Sequence, residues 1–207
     1  MTLESYRREV SSAKRADIVR AAADQFLKHG YQRAAVADIA RVADVSTATL
    51  YKHFGSKEEL FAATVEEVQN AVDDEFAQQP PGATLAEMLH NAARTYLSLQ
   101  FDRNLNGLMR IVIAESGRHP KLGRRMYLSF VNRRRDGATA AFDKMVAAGW
   151  LKPHDTHLSA TFMGGMMKEF FVWPALFDPT FTIPEDADAK IDEIIAVFLA
   201  RYGAGHP

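Results

Sequence analysis

Residues 36–61 constrain the fold of this chain more than any other stretch. Apolar residues recur at helical spacing over 36–43, which predicts a first short helix. Asp44 interrupts that pattern, and Ser46 is a good N-cap for a second helix over 47–54. Two short helices on a three-residue turn indicate a helix-turn-helix, whose second helix enters the major groove of DNA. The alternative is two ordinary core helices of an all-α protein.

The residue types along the second helix favour the DNA interpretation. Leu50 and Phe54 lie four apart on one stripe that the protein can bury. Small hydroxyl and methyl groups near the helix start can meet base edges, whereas Tyr51 and Lys52 can reach phosphate oxygens. The residues that we expect to face DNA are Thr47, Ala48, Thr49, Tyr51, Lys52 and His53.

A capping box follows this helix. Ser56 and Glu59 form an S-x-x-E pattern that predicts the start of a third helix. Free N–H groups at a helix start bind phosphate, and Lys57 adds positive charge beside them. Arg33 supplies charge before the first helix of the motif. Arg33 and Lys57 therefore join the predicted DNA-binding residues.

The segment from Phe26 to Phe61 resembles the DNA-binding domain of the TetR family of bacterial transcriptional regulators. The residues that carry the resemblance are Phe26, Gly30-Tyr31, Val36, Asp38-Ile39-Ala40, Ala43, Val45-Ser46, Thr49-Leu50-Tyr51, His53-Phe54 and Ser56-Lys57-Glu58-Glu59-Leu60-Phe61. The resemblance implies a homodimeric, ligand-controlled repressor. It places the DNA contacts on Thr47, Thr49, Tyr51, His53 and Lys57. A shorter stretch, Arg110 to Ser116 with Pro120 to Leu122, is similar to a C-terminal domain of the AefR-like branch.

The sequence departs from the family pattern in two places. Ala34 and Ala35 stand where the family usually has Ser or Thr, and the lost hydroxyl removes a cap worth about 1 kcal/mol. Asp44 stands where the turn usually has glycine. Because Asp tolerates left-handed backbone angles better than most residues, Asp44 weakens the helix-turn-helix motif without excluding it, and it bears on the geometry of the turn rather than on function.

Charge is unevenly distributed along the 207 residues. Residues 1–57 hold ten basic and six acidic residues, whereas the remainder holds 15 basic and 20 acidic ones. A basic N-terminal unit on an acidic body is expected when only one end touches phosphate. The absence of cysteine excludes disulfides and thiol catalysis. No apolar run approaches the ~20 residues that span a membrane, so we expect a cytoplasmic protein.

The remaining pattern predicts an all-α fold of about nine helices. The further helices are expected over 12–29 with Gly30 as the stop, 57–78 ended by 80–82, 84–100, 103–116, 121–148, 155–175 and 187–202. The opening arm, 1–11, has little to bury and is expected to be disordered, or to reach the DNA backbone or minor groove. We expect a three-helix helix-turn-helix domain over 1–57 and a helical ligand-binding and dimerisation domain over 58–207.

The last two helices carry apolar stripes that either pack inside one subunit or pair with a second copy. Helix bundles of this type use such seams between subunits, which favours the dimer. The predicted interface residues are Leu158, Phe162, Gly165, Ile191, Ile194, Ile195, Phe198, Leu199 and Tyr202.

Large flexible and aromatic residues are frequent in the middle of the chain. Each of them either fills core volume or lines an apolar cavity for a small effector, where Met can repack around different ligands. The predicted ligand-binding residues are Tyr96, Phe101, Met109, Met126, Phe130, Phe162, Met166 and Phe170.

Other polar clusters carry weaker signals. The run 133–135 is all arginine, and consecutive arginines on a helix point to different sides, which favours a solvated face over an anion site. His154 and His157 lack the converging partners that a metal requires. No catalytic motif is present, so we expect neither an enzyme nor a cofactor.

The sequence therefore predicts a regulator that binds double-stranded operator DNA, released by a small, largely apolar ligand. Three alternatives stay open. The chain could be an activator or a co-repressor-dependent regulator. It could be a small-molecule binding protein with weakened DNA binding. An α-helical enzyme is the least favoured.

Overall fold

The computed structural model describes residues 3–77, 84–102 and 104–205; the side chains of 3–11, 69–77, Leu99 and Phe130 are not described. The helices are α1 (Leu3–Arg33), α2 (Val36–Val42), α3 (Thr47–Phe54), α4 (Lys57–Ala77), α5 (Leu85–Asp102), α6 (Leu105–Glu115), α7 (Pro120–Tyr127), α8 (Arg133–Ala147), α9 (Thr156–Met167), α10 (Trp173–Phe177) and α11 (Ala187–Tyr202). Within these ranges one antiparallel bridge joins Leu151 to Gly203 and no strand forms, which confirms the all-α prediction.

The helix ends follow local signals closely. α3 and α11 occupy their predicted ranges, and α1 loses helical geometry at Gly30 (φ 73°, ψ 172°), the predicted stop. The helices predicted over 121–148 and 155–175 are continuous, but each contains a π-helical segment. These segments are Leu128–Asn132, between α7 and α8, and Lys168–Val172, between α9 and α10.

The start of the chain differs from expectation. The arm expected to be disordered over 1–11 is helical from Leu3, as the first part of α1. α4 is described as far as Ala77, so Gln78 and the predicted stop at 80–82 lie outside the described residues. None of the described helices combines the length and apolar character needed to cross a bilayer.

Contacts divide the chain into two compact units. The first contains the residues up to Asn70 together with Gly107–Met126, and the second contains Ala71–Asn106 together with the residues from Tyr127 onwards. The predicted functional boundary between residues 57 and 58 stays a prediction. By contacts, α6 and α7 belong with the N-terminal helices.

Each unit has its own apolar core. In the first, Ile18, Ala22 and Phe26 form the predicted buried stripe of α1 and are completely inaccessible. In the second, α8 packs on α9 and α11 packs on α5 and α9. The buried side chains of the second core include Leu97, Phe142, Leu151, Phe171, Ile191, Ile194, Ile195 and Phe198.

Candidate functional site

The turn between α2 and α3 is held by backbone geometry at Asp44. This residue lies in the left-handed region (φ 52°), as expected for a turn that usually carries glycine. The amide of Val45 donates to the carbonyl of Ala40 at 2.9 Å and closes the turn. Asp44 therefore preserves the turn geometry.

Both ends of α3 are capped. Ser46 Oγ accepts a hydrogen bond from the Thr49 amide at 3.1 Å, which confirms the predicted N-cap. Gly55 ends the helix with φ 67°, and its amide donates to the Tyr51 carbonyl at 2.8 Å. By contrast, α2 follows Ala35 without any side-chain cap. The second helix of the motif is thus more firmly defined than the first.

One face of α3 is buried and the other is free for a partner. Leu50 and Phe54 enter the core, and the Arg15 guanidinium lies over the Phe54 ring, 5.2 Å from its centroid. Of the residues expected to face DNA, Thr47, Ala48, Tyr51 and Lys52 are exposed, whereas Thr49 and His53 are half-buried. Tyr51, at 46% exposure, is a large side chain that the protein leaves in water.

Lys57 and Arg33 lie near the start of α4 and the end of α1. Lys57 Nζ donates to the Gln32 carbonyl at 3.1 Å and lies 5.0 Å from the centroid of the Tyr31 ring. Burial lowers the pKa of Lys57, although the nearby Glu115 carboxylate opposes the shift. Arg33 is exposed, and its Nε donates to the His29 carbonyl at 3.3 Å. These contacts place two cations on the same unit as α3.

The start of α4 carries the predicted cap. Ser56 Oγ accepts from the Glu59 amide at 3.1 Å. This hydrogen bond is one half of the capping box, and it fixes the first turn of α4.

The segment containing α6 and α7 packs against α1 and α4 of the first unit. The sequence pattern did not predict these contacts. Gln32 Nε2 donates to Glu115 Oε2 at 2.7 Å, and Arg125 pairs with Glu66 at 2.9 Å. The His119 ring packs edge-on against Tyr31 with centroids 5.3 Å apart. Only the similarity of 110–122 to a family domain hinted that this segment matters, because the contacts join residues far apart in sequence.

The predicted ligand-binding residues do not share one environment. Met109 and Met126 belong to the first unit, whereas Tyr96, Phe101, Phe162, Met166 and Phe170 belong to the second. Tyr96 and Phe101 are half-buried, but Phe162 and Phe170 are exposed, so these two phenylalanines do not line an enclosed pocket within their unit. The side chain of Phe130 lies outside the described residues.

The predicted dimer surface needs a correction at α11. Ile191, Ile194, Ile195 and Phe198 are no more than 4% exposed, because α11 turns this stripe towards α5 and α9 of its own unit. Tyr202 stacks on His154 with ring centroids 4.3 Å apart, and Leu199 is half-buried. For Ile191, Ile194, Ile195 and Phe198 the structure supports packing inside one subunit, whereas an interface role for Leu199 and Tyr202 stays a prediction.

An exposed apolar surface is formed by residues of α9, α10, α11 and the π-helical segment between α9 and α10. We call it the apolar outer face. Its residues are Leu158, Phe162, Gly165, Phe170, Trp173, Phe177 and Val197. Two of these residues, Phe170 and Val197, line a groove of about 370 Å³ together with Met166, Ile194 and the charged residues Lys190 and Glu193. A surface this apolar is typical of an interface.

The arginine run differs in burial from expectation. Arg133 is exposed, but Arg134 and Arg135 are half-buried rather than fully solvated. His154 contacts the Lys152 carbonyl and Ser159 Oγ, at 2.7 and 2.8 Å, so both its ring nitrogens are engaged. Over the ranges with described side chains, no group of three metal-binding residues occurs.

Comparison with known proteins gives matches to both parts of the chain. Residues 18–64 match the family described as bacterial regulatory proteins, tetR family. Residues 87–204 match the C-terminal domain of AefR-like transcriptional repressors.

Solved structures match over nearly the whole length. A putative TetR-family regulator from Mesorhizobium loti is 28% identical, with a TM-score of 0.84 over 93% of this chain and 98% of that one. The flavonoid-responsive regulator FrrA is also 28% identical, with a TM-score of 0.73 over 94% of this chain and all of that one.

Curated relatives match over shorter segments. The A-factor receptor protein of Streptomyces griseus is 43% identical over 63 residues, which cover 30% of this chain and 23% of the relative. The regulator TcmR of Streptomyces glaucescens is 29% identical over 94 residues, which cover 45% of this chain and 42% of the relative. The matched segments thus span less than half of either relative.

Proposed function

Because this chain belongs to the TetR family of bacterial transcriptional regulators, with an AefR-like C-terminal domain, we propose that it is a homodimeric repressor. It binds a near-palindromic operator in the cytoplasm and is released by a small, largely apolar molecule. The observation that carries the proposal is the geometry of α3. This helix is capped at both ends and packs into the core through Leu50 and Phe54, and its remaining surface is free for DNA.

α3 enters the major groove in this proposal. Thr47, Ala48 and Thr49 at its start meet base edges, including the methyl group of thymine. Tyr51, Lys52 and His53 contact phosphate and sugar, which fixes the register of the helix on DNA. These six residues occupy successive turns of one short helix, so a single docking position can use them together.

Arg33 and Lys57 contact the phosphates flanking the groove. Lys57 lies in the first turn of α4, where free backbone N–H groups also favour an anion. Its contacts with the Gln32 carbonyl and the Tyr31 ring hold the amine in place before DNA arrives. This preorganisation reduces the entropy that the side chain loses on binding.

The apolar outer face joins two copies of the chain. Leu158, Phe162, Gly165, Phe170 and Trp173 recur along one side of the run from α9 to α10, and Val197 extends the surface onto α11. An isologous contact through this face gives a two-fold dimer. Such a dimer presents two α3 helices to half-sites about 34–36 Å apart, which is why the operator is near-palindromic.

Release requires a ligand that prefers the DNA-incompetent arrangement of the dimer, because equal affinity for both states would shift neither population. The similar structure that is a flavonoid-responsive regulator supports a small organic effector for this chain. α4 spans the division between the two compact units, near residue 70, so a tilt of this helix is the proposed transmission step.

A DNA-capture selection with the purified protein tests the proposal. It should recover a near-palindromic sequence, which then serves as the probe in a gel-shift assay. The double change Tyr51→Ala/Lys57→Ala should abolish the shift, whereas Lys144→Gln, an exposed change on α8, should leave it intact. Full retention of DNA binding by the double variant would count against the assigned surface.

The opposite regulatory sign is the second candidate. An activator or a co-repressor-dependent regulator uses the same surface, and reporter expression in a strain lacking the gene distinguishes them. A ligand-binding protein with weakened DNA binding would show no salt-sensitive affinity for the selected DNA. TetR-family proteins are generally not enzymes, and turnover of a bound ligand would be needed to assign catalysis here.

A further inference from the structure

Three cationic side chains of the second unit act on one another electrostatically, since the charges of Arg134 and Arg135 both lower the pKa of Lys168. Arg134 and Arg135 begin α8, and Lys168 begins the π-helical segment after α9. We call these three residues the cation cluster. All three side chains are half-buried, so they are neither fully solvated nor sealed from water.

Polar and aromatic groups surround the two arginines of the cluster. Arg134 Nη1 donates to Gln100 Oε1 at 2.8 Å, and its guanidinium lies 5.0 Å from the centroid of the Tyr96 ring. Arg135 Nη2 donates to Asn132 Oδ1 at 2.8 Å. Among the residues whose side chains are described, no carboxylate forms an ion pair with any member of the cluster.

Among the residues with described side chains, two nitrogen atoms of the cluster are buried without a hydrogen-bond partner. They are Arg134 Nη2 and Arg135 Nε. A buried N–H group on a charged side chain is costly to leave unsatisfied, and such groups in proteins normally find an acceptor. Each of these two consecutive arginines therefore has a buried nitrogen that lacks an acceptor.

The electrostatics of Lys168 agree with this geometry. Burial lowers the pKa of Lys168, and the positive charges of Arg134 and Arg135 lower it further. The three cations therefore repel one another in a partly desolvated place. An anion among them would remove that repulsion and supply the missing acceptors.

The backbone is also irregular at this place. One π-helical segment, Leu128–Asn132, ends immediately before α8, and the other begins with Lys168. π-helical turns in α-helices occur frequently at functional sites. Here both lie next to the cation cluster, so each helix departs from ideal geometry where the charges lie.

We infer that the cation cluster binds the anionic head group of an amphipathic small molecule, such as a carboxylate on an apolar body. This inference rests on the proposed function, because it specifies the chemistry of the effector. The two arginines supply N–H donors in fork geometry, and Lys168 adds a third charge. Tyr96 and Gln100 position the Arg134 guanidinium from α5.

A matched pair of fluorescent probes tests the inference on the full chain. 8-Anilinonaphthalene-1-sulfonate is an aromatic anion, and N-phenyl-1-naphthylamine has the same ring skeleton without the sulfonate. Each probe is titrated against the wild type, Arg135→Gln, Lys168→Met and the control Arg133→Gln. The control removes the same charge from the exposed neighbour of the cluster.

The expected result is selective for charge. Arg135→Gln and Lys168→Met should each weaken the anionic probe by about tenfold or more and leave the neutral probe within about twofold, as expected for a lost charge-assisted hydrogen bond. Arg133→Gln should change neither probe by more than about twofold. Equal losses for both probes, or unchanged affinity for the anion, would overturn the inference. Far-UV circular dichroism confirms that each variant folds, and Lys168→Met alone decides the outcome if Arg135→Gln does not fold.

Binding of the selected operator separates this inference from the proposed function. If the wild type binds operator DNA but the variants bind the anionic probe as tightly as the wild type does, the proposed anion site is wrong and the proposed regulatory function stands. If the variants bind the anionic probe more weakly as predicted but the protein binds no operator DNA, the anion site stands and the proposed regulatory function is wrong.

Discussion

Replacing Phe162 by glutamine tests whether the apolar outer face joins two subunits. Phe162 lies on α9 and is 52% exposed in the single chain. Gln favours helix and is polar, so the variant should fold like the wild type. Ile113 is 51% exposed but lies on α6 in the other compact unit, so Ile113→Gln is a matched control.

The size of the effect follows from this exposure. A buried phenylalanine removes about 200 Å² from water, so about 100 Å² of Phe162 is available to a partner in each subunit. At about 25 cal/mol per Å², the two copies contribute about 5 kcal/mol to dimerisation. Glutamine retains part of the contact through its aliphatic stem, so we expect a loss of about half, ~2.5 kcal/mol. This corresponds to a roughly 70-fold increase in the dimer Kd.

Sedimentation equilibrium over a range of protein concentrations measures that constant directly. The wild type and Ile113→Gln should dissociate at the same concentration, and Phe162→Gln should dissociate at a much higher one. A wild type that is monomeric throughout, or an equal response of the two variants, would refute the assignment of this face.

Three further predictions concern stability, each measured by urea unfolding. Ser46→Ala should lower the free energy of unfolding by about 1 kcal/mol, since it removes the cap on Thr49, and an unchanged midpoint would contradict that role. Ala35→Ser should raise it by up to about 1 kcal/mol, because α2 has no side-chain cap, and a loss of stability would show that serine does not fit there. Lys168→Met should raise it by about 1 kcal/mol at pH 7, since it removes a crowded charge. The pKa of Lys168 is lowered in the folded state, so the wild type gains stability as the pH rises towards 10.5. The stability difference between Lys168→Met and the wild type should therefore shrink over that range. A difference that grows with pH would contradict the account.

Sequence reasoning succeeds where the signal is local. The bounds of α3 follow from Ser46 before it and Gly55 after it, and both caps act within one turn. The left-handed Asp44 follows likewise from the intrinsic tolerance of its residue type. These features depend on neighbours in the chain, so the sequence contains what is needed to predict them.

Sequence reasoning fails where distant residues decide the outcome. The stripe on α11 correctly indicates a buried side, but periodicity cannot tell a core from a subunit interface, and α5 and α9 of the same unit cover it. The burial of Arg134 depends on Gln100, 34 residues away. The hydrogen bond between Gln32 and Glu115 spans 83 residues.

The salt dependence of operator binding tests the central claim most directly. Fluorescence anisotropy gives the Kd of the selected operator at several salt concentrations for the wild type, Lys52→Gln and Lys144→Gln. Each phosphate contact contributes about 0.9 to the slope of log Kd against log salt, so Lys52→Gln should reduce the slope by about two, one for each subunit of the dimer. Lys144→Gln should leave it unchanged. A wild-type Kd that does not change with salt concentration, or a Lys52→Gln slope equal to that of the wild type, would contradict the account.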